Sequence, residues 1–273
     1  MILYLDRKMS LDCLNTQIPH LQAQLKDGIL TLAIDRPEAK NALYTDLYLA
    51  IEQALYQADA STDVRVVILR GAGNDFSAGN DMQDFAASLQ KPIAHAGDGA
   101  PFLLLKSAAK FSKPLIIAVK GVAIGIGVTL LLHADFVYAD DSALFQIPFV
   151  SLGLSPEGCS SKLLQQQAGH LLAADLLLSA RRFDVNTALQ ARLVSEINSD
   201  PYAKAEQTAQ HLVQLPLASL KQTKALMKAN LDEIVAWIDH EAEIFMQRVK
   251  SPEMHEALMA FKEKRKADFS QFN

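Results

Sequence analysis

The chain has 273 residues, half of them hydrophobic, enough to bury a large core in one domain or in one domain with an appendage. A net charge of −5, with both signs interspersed, gives no electrostatic basis for binding nucleic acid or an anionic membrane. The two cysteines, Cys13 and Cys159, fit no metal or redox spacing, which points to a reducing compartment.

Residues 1–20 show little periodicity and read as a loose arm. Their apolar run is broken at Asp6, Arg7 and Lys8, too early for a signal peptide or a membrane span. GILTLAIDR (28–36) alternates like a strand and stops at Pro37. The stretch from 44 to 60 places Leu47, Ile51, Ala54 and Leu55 on one helical stripe. VRVVILR (64–70) is a β-branched run of the kind buried on both faces of a parallel sheet. A polar, Gly-rich loop follows at 71–82, and residues 86–101 read as a mobile insert. KPLIIAVKG (113–121) predicts a buried strand, residues 122–134 an apolar helix, and residues 136–149 short strands.

LSPEGCSS (154–161) has the signature of a helix start: Ser155 as N-cap, Pro156 at the first helical position and Glu157 in the first turn. One helix is expected from there to residue 179, and from about 200 the pattern is helical throughout. The basic run KEKRK (262–266), which contains Glu263 and precedes Asp268, reads as a solvated helix face. The C-terminal SQFN carries no peroxisomal address, and the expected location is cytoplasmic. Strands with intervening helices and then a helical tail indicate an α/β fold with a helical subdomain. The expected division is an arm at 1–20, a core at 21–200 and a helical oligomerisation region at 201–273.

GAGNDF (71–76) imitates a dinucleotide-binding loop, but Phe76 stands where the third glycine belongs. Two other Gly-rich corners, SAGND (77–81) and AIGIG (123–127), each follow a strand and could present free backbone N–H groups. Two such donors converging on one point would stabilise a carbonyl oxygen as it becomes negative. The competing explanation is close backbone packing that only glycine permits. There is no G-x-S-x-G, no H-E-x-x-H and no metal-ligand set. His133 and Asp135 read as capping or core-edge groups, and Ser160 and Ser161 lack a His–Asp pairing. What is left is an electrophile-stabilising backbone and one well-placed acid, Glu157.

In order, IDRPEAKNAL (34–43), VVILRGAGNDFSAGNDM (66–82), KPLIIAVKGVAIGIGVTLLLHADFVYA (113–139) and ALFQIPFVSLGLSPEGCSSKLL (143–164) resemble the crotonase superfamily of acyl-CoA enzymes. AFKEKRKADF near the end extends the match. The resemblance implies a spiral of β-β-α units with a C-terminal helical subdomain, assembled as a homotrimer or a dimer of trimers. It also implies a thioester carbonyl held by the N–H groups of Asn80 and Ile126. Enoyl-CoA hydratases of this superfamily use two glutamates, at the positions of Thr129 and Phe149 here. Both are absent, and the sequence is instead similar to the Δ3,Δ2-enoyl-CoA isomerase branch, peroxisomal members included, in which the catalytic carboxylate falls at Glu157.

By the same resemblance Lys40, Ala42, Leu43, Ser77, Ala78, Gly79, Asp81 and Gly125 line the CoA path. Phe149 would keep the reacting carbons dry, with Leu152 and Leu154 if they face the site. Phe261 and Lys264 would reach the CoA of a neighbouring copy, and residues 83–112 would select the acyl chain. No cofactor is implied beyond the CoA of the substrate, and no metal. A helix N-terminus would lower the Glu157 pKa and burial would raise it; burial is expected to prevail. The alternatives are another crotonase-type conversion, hydration included, and a non-catalytic acyl-CoA-binding protein.

Overall fold

The computed structural model describes residues 19–88 and 94–272; the expected arm lies almost wholly outside the described residues. Strands β1 (Leu21–Lys26) and β2 (Ile29–Ile34) form an antiparallel pair, Leu21 opposite Ile34. Sequence reading missed β1, an edge strand that buries only Leu21 and Ala23. Helix α1 (Thr45–Ala60) packs the expected stripe inward, with Tyr48, Ala50 and Ala58 added to it. Next come β3 (Val66–Gly71), α2 (Met82–Ser88), a 3-10 turn at Ala96–Asp98 and α3 (Ala100–Lys110).

The insert expected at 86–101 is partly built structure. Among its described residues the 3-10 turn packs so closely that a Cβ on Gly97 would lie 2.0 Å from Asp239 Oδ1, and Lys106 pairs with Asp239 at 2.8 Å. Beyond α3 lie β4 (Leu115–Val119) and β5 (Val122–Ile124). The single apolar helix expected at 122–134 is therefore three pieces. β5 pairs with β7 (Leu144–Gln146), Gly125 turns the chain at φ +56°, and a one-turn α4 (Ile126–Thr129) leads into a 3-10 turn at Leu130–His133. β6 (Phe136–Ala139) returns to the main sheet.

The remaining elements are α5 (Ser160–Ala168), α6 (His170–Ser179), β8 (Arg182–Asp184), α7 (Val185–Gln190) and β9 (Glu196–Ile197). Four helices complete the chain: α8 (Pro201–Leu212), α9 (Leu217–Met227), α10 (Leu231–Val249) and α11 (Pro252–Lys262). The helix expected to run to residue 179 is broken at Gly169, whose φ is +79°. α11 stops at Lys262, so most of KEKRK lies past the helix, where Arg265 pairs with Glu256 and Glu263.

One sheet has the order β1-β2-β3-β4-β6-β9, parallel from β2 onward; a smaller one is β5-β7-β8. Alternation divides the main sheet cleanly. Leu30, Leu32, Val67, Leu69 and Ile117 point into the principal core with α1 and α3, while Ile29, Val66, Ile68, Ile116 and Tyr138 face Ala205, Ala209 and Leu212 of α8. This is why VVILR contains no polar face: both sides of β3 are covered. α10 packs on α3, with Phe245 edge-on to Phe102. Among the described residues no helix is long and apolar enough to cross a membrane.

Candidate active site

Three strips of chain run side by side at the end of the main sheet. Residues 77–81 are stitched to residues 40–43 by Ala78 N–H to the Lys40 carbonyl (2.9 Å), Leu43 N–H to Gly79 (2.7 Å) and Asp81 N–H to Leu43 (2.8 Å). On the other side Ser77 N–H donates to Val122 (2.9 Å) and Ile124 N–H to Ser77 (3.0 Å). The Ser77 hydroxyl donates to the Asn41 carbonyl (2.9 Å) and accepts from Gly79 N–H (3.1 Å). Gly79 is forced by this crowding. Its φ is +84°, and a Cβ there would lie 2.6 Å from the Ile124 carbonyl oxygen.

The structure thus gathers Lys40, Ala42, Leu43, Ser77, Ala78, Gly79, Asn80, Asp81, Gly125 and Ile126 in one place. Both explanations of the glycine corners hold together: the backbone is tightly packed, and the N–H groups of Asn80 and Ile126 have no acceptor among the described residues. Sequence reading missed two side chains that fix this corner. Tyr48 donates to Asn80 Oδ1 at 2.5 Å, and Arg36 reaches Asp81 at 2.8 Å and the Ala42 carbonyl at 3.0 Å. Burial would raise the Asp81 carboxyl, but hydrogen bonds from Asp84 N–H, the Arg36 side chain and Gln83 N–H outweigh it and hold the group below its usual value. Tyr48 stood outside the helical stripe read from the sequence, although a buried tyrosine hydroxyl needs a partner.

Glu157 is 1% exposed and does not sit in the first turn of a helix. α5 begins at Ser160, its N-cap position is Cys159 at φ +61°, and the Ser155 hydroxyl is buried without a partner instead of capping. The cap comes from Glu241 on α10, whose carboxylate accepts from Cys159 N–H (2.6 Å), Ser161 N–H (3.0 Å) and the Ser161 hydroxyl (2.5 Å). No pattern near residue 157 could have shown this partner. The N-terminal helix field expected to lower the Glu157 pKa gives way to a neighbouring negative charge. Burial first, then Glu241, push the Glu157 carboxyl up from 4.5 to about 8.

Two observations relate Glu157 to the elements that carry the N–H corners. Burial and then the charge of Glu157 raise the hydroxyl of Tyr48, the residue bonded to Asn80. Gly158 packs toward Leu105 and toward Thr129 of α4, the helix that Ile126 begins; a Cβ on Gly158 would lie 3.1 Å and 3.4 Å from them. Glu157 Oε1 and Thr129 Oγ1 are buried with no hydrogen-bond partner among the described residues. His133 belongs to the support: its ring donates to the Gly158 carbonyl at 2.9 Å, and burial lowers its pKa to about 3, so it stays neutral. Cys159 is no nucleophile, because burial and Glu241 push its thiol up to about 12.

Phe149 is buried and meets Phe245 edge-on at 6.2 Å, in a cluster with Phe85 and Phe102. Leu154 is buried and Leu152 packs on the same core. Phe261 (63% exposed) and Lys264 are not brought to these strips within one chain. A cavity of about 710 Å³ between the β1–β3 face and α8, lined by Lys26, Arg70 and Tyr202 among others, contains none of the residues above. Chemically, the arrangement can move a proton on a carbon next to a carbonyl whose oxygen turns anionic.

Comparison with known proteins places the chain in a family. Rat enoyl-CoA delta isomerase 2 is 35% identical over 240 residues, which are 86% of this chain and 61% of that protein; the chain therefore spans less than two thirds of this relative. The 2,3-dehydroadipyl-CoA hydratase of Escherichia coli K12 is 31% identical over 250 residues, 88% of this chain and 94% of that enzyme. A crystal structure from Acinetobacter baumannii, described as an enoyl-CoA hydratase/isomerase, superposes with a TM-score of 0.84 at 67% identity. It covers 88% of this chain and 100% of that one. The family profile for enoyl-CoA hydratase/isomerase matches residues 24–272, so the main sheet from the middle of β1 onward, the paired backbone corners and the C-terminal helices fall inside it, and the chain belongs to that family.

Proposed function

We propose that the protein is a Δ3,Δ2-enoyl-CoA isomerase, moving a double bond of a fatty acyl-CoA from C3 to C2. The observation that carries this reading is one buried carboxyl at Glu157, with Thr129 and Phe149 at the two positions where the hydratase pattern needs glutamates. In a 3-enoyl thioester the C2 protons are activated by both the carbonyl and the β,γ double bond. Ionised Glu157 takes one of them, and the electrons spread into a dienolate whose oxygen charge rests on the N–H groups of Asn80 and Ile126. The carboxylic acid so formed returns the proton to C4, leaving the conjugated 2-enoyl product. Base and acid are one group, so no water is consumed. A carboxyl titrating near 8 suits both halves of this cycle, which needs a base strong enough to take the proton and an acid able to give it back.

Two incubations test the reading. Purified protein should convert a 3-enoyl-CoA to the conjugated thioester, followed by absorbance, and Glu157→Gln should slow this by roughly 10²–10⁴-fold. It should leave a 2-enoyl-CoA unhydrated. Consumption of the 2-enoyl-CoA by water addition would move the assignment to a hydratase, in line with the similarity to the Escherichia coli enzyme. Tight binding of CoA esters without turnover of either would make the protein a binder.

A further inference from the structure

Among the buried acids, Glu241 has no part in the reaction sequence above, yet it is 4% exposed and lies on α10, more than 80 residues beyond the turn it touches. We propose that Glu241 is a positioning residue for Glu157, its carboxylate clamping the turn that presents the catalytic carboxyl; this rests on Glu157 being the proton carrier. The clamp has three donors: Cys159 N–H, Ser161 N–H and the Ser161 hydroxyl, the last also accepting from Trp237 Nε1 at 3.0 Å. A closing bond from Ser160 N–H to the Glu157 carbonyl (3.2 Å) ties the same residues to Glu157 itself.

Helix capping alone does not account for this acid. Cys159 holds φ +61°, a conformation that a non-glycine residue keeps only when its surroundings fix it, and Glu241 grips the N–H of that residue. A neutral acceptor could do as much. A carboxylate also puts like charge beside Glu157, whose Oε1 has no donor to relieve it. Burial raises the Glu241 carboxyl as well, but its hydrogen-bond donors work against that rise, whereas nothing among the described residues donates to Glu157 Oε1; on this geometry Glu241 is the better-stabilised anion of the pair. Titratable groups on the surrounding elements include Tyr48 on α1, whose hydroxyl feels the Glu157 charge, His133 in the 3-10 turn, bonded to the Gly158 carbonyl, and Cys159 in the same segment, all neutral near pH 7. The neighbouring cation Lys162 is engaged with Glu233.

The test is a carbon-13 carboxyl titration of Glu157 in the full chain, assigned by its loss in Glu157→Gln, run beside kcat and KM for a 3-enoyl-CoA. In Glu241→Gln the Glu157 titration should move down from about 8 toward the ordinary carboxylate range. The acid limb of kcat/KM should move with it. The plateau kcat should fall about ten-fold, the equivalent of one lost hydrogen bond to a charged group, with KM nearly unchanged. Glu241→Asp, which keeps the charge, should restore the high titration.

An unshifted Glu157 titration in folded Glu241→Gln overturns the proposal, as does a loss of kcat with no shift. If Glu241→Gln does not fold, Ser161→Ala decides, since it removes one donor and leaves the helix. A fall in kcat at constant KM supports the clamp, and an unchanged kcat overturns it. A wild type that turns over no 3-enoyl-CoA would sink the proposed function alone, because the carboxyl titration remains readable without turnover.

Discussion

At the scale of single residues, the surroundings of Glu157 work against its negative charge. Its carboxyl is buried, one oxygen has no donor among the described residues, and Glu241 stands nearby. A folded-state pKa raised from 4.5 to about 8 has a consequence for stability. Between those values the folded chain holds a proton that the unfolded chain has released. The stabilising contribution is therefore complete below about pH 4.5 and is lost as pH rises through about 8, at up to about 1.4 kcal/mol per pH unit. Glu157→Gln removes the titration, so its melting temperature should gain on the wild type between pH 5.5 and 8.5. Thermal melts across that range check this, and a constant difference would mean Glu157 is not held in its neutral form. His133 acts in the opposite sense. Its pKa is depressed to about 3, so the stability it gives is present above its usual 6.5 and drains away as pH falls.

At the scale of elements, the site is an agreement between backbone strips, and glycine makes their approach possible. Gly79→Ala would place a methyl 2.6 Å from the Ile124 carbonyl oxygen at φ +84°. The expected loss is about 2 kcal/mol or more in urea unfolding, together with a fall in turnover as the strip carrying Asn80 is pushed from the one carrying Ile126. Gly73, with open space around it, is the control, and its change to alanine should alter neither quantity. Local pattern revealed these strips well, because a β-branched run followed by Gly-rich polar residues is a local signal. It revealed α3 and β1 poorly. β1 is half polar and mostly exposed, and is a strand by its pairing with β2, while α3 follows a stretch of Gly, Pro and Ala that hides its start at Ala100. The apolar run at 122–134 misled for a related reason. Its first three residues are claimed by β7, and no periodicity records a partner 22 residues away.

At the scale of the whole molecule, the division of labour is between a sheet that sets the N–H corners and C-terminal helices that set the acid. α8 seals one face of the main sheet, and α10 brings both Phe245 to the aromatic cluster beside Phe149 and Glu241 to the turn at Glu157. Glu157, Asn80 and Ile126 could be named together from the sequence because four motifs in order resemble one family. Glu241 and Tyr48 were not, because what matters about them is a bond to a residue far along the chain: to Cys159 from Glu241 and to Asn80 from Tyr48.

The central claim is that one water-sheltered carboxyl carries a proton from C2 to C4. Its most direct test is a 3-enoyl-CoA deuterated at C2, incubated in ordinary water and stopped early for mass and NMR analysis of the product. With Glu157 buried at 1% exposure, some of the deuterium taken from C2 should reappear at C4 before it exchanges with solvent, and none of this transfer should occur with Glu157→Gln. A 2-enoyl product carrying only solvent protons at C4, at every early time point, would contradict the account.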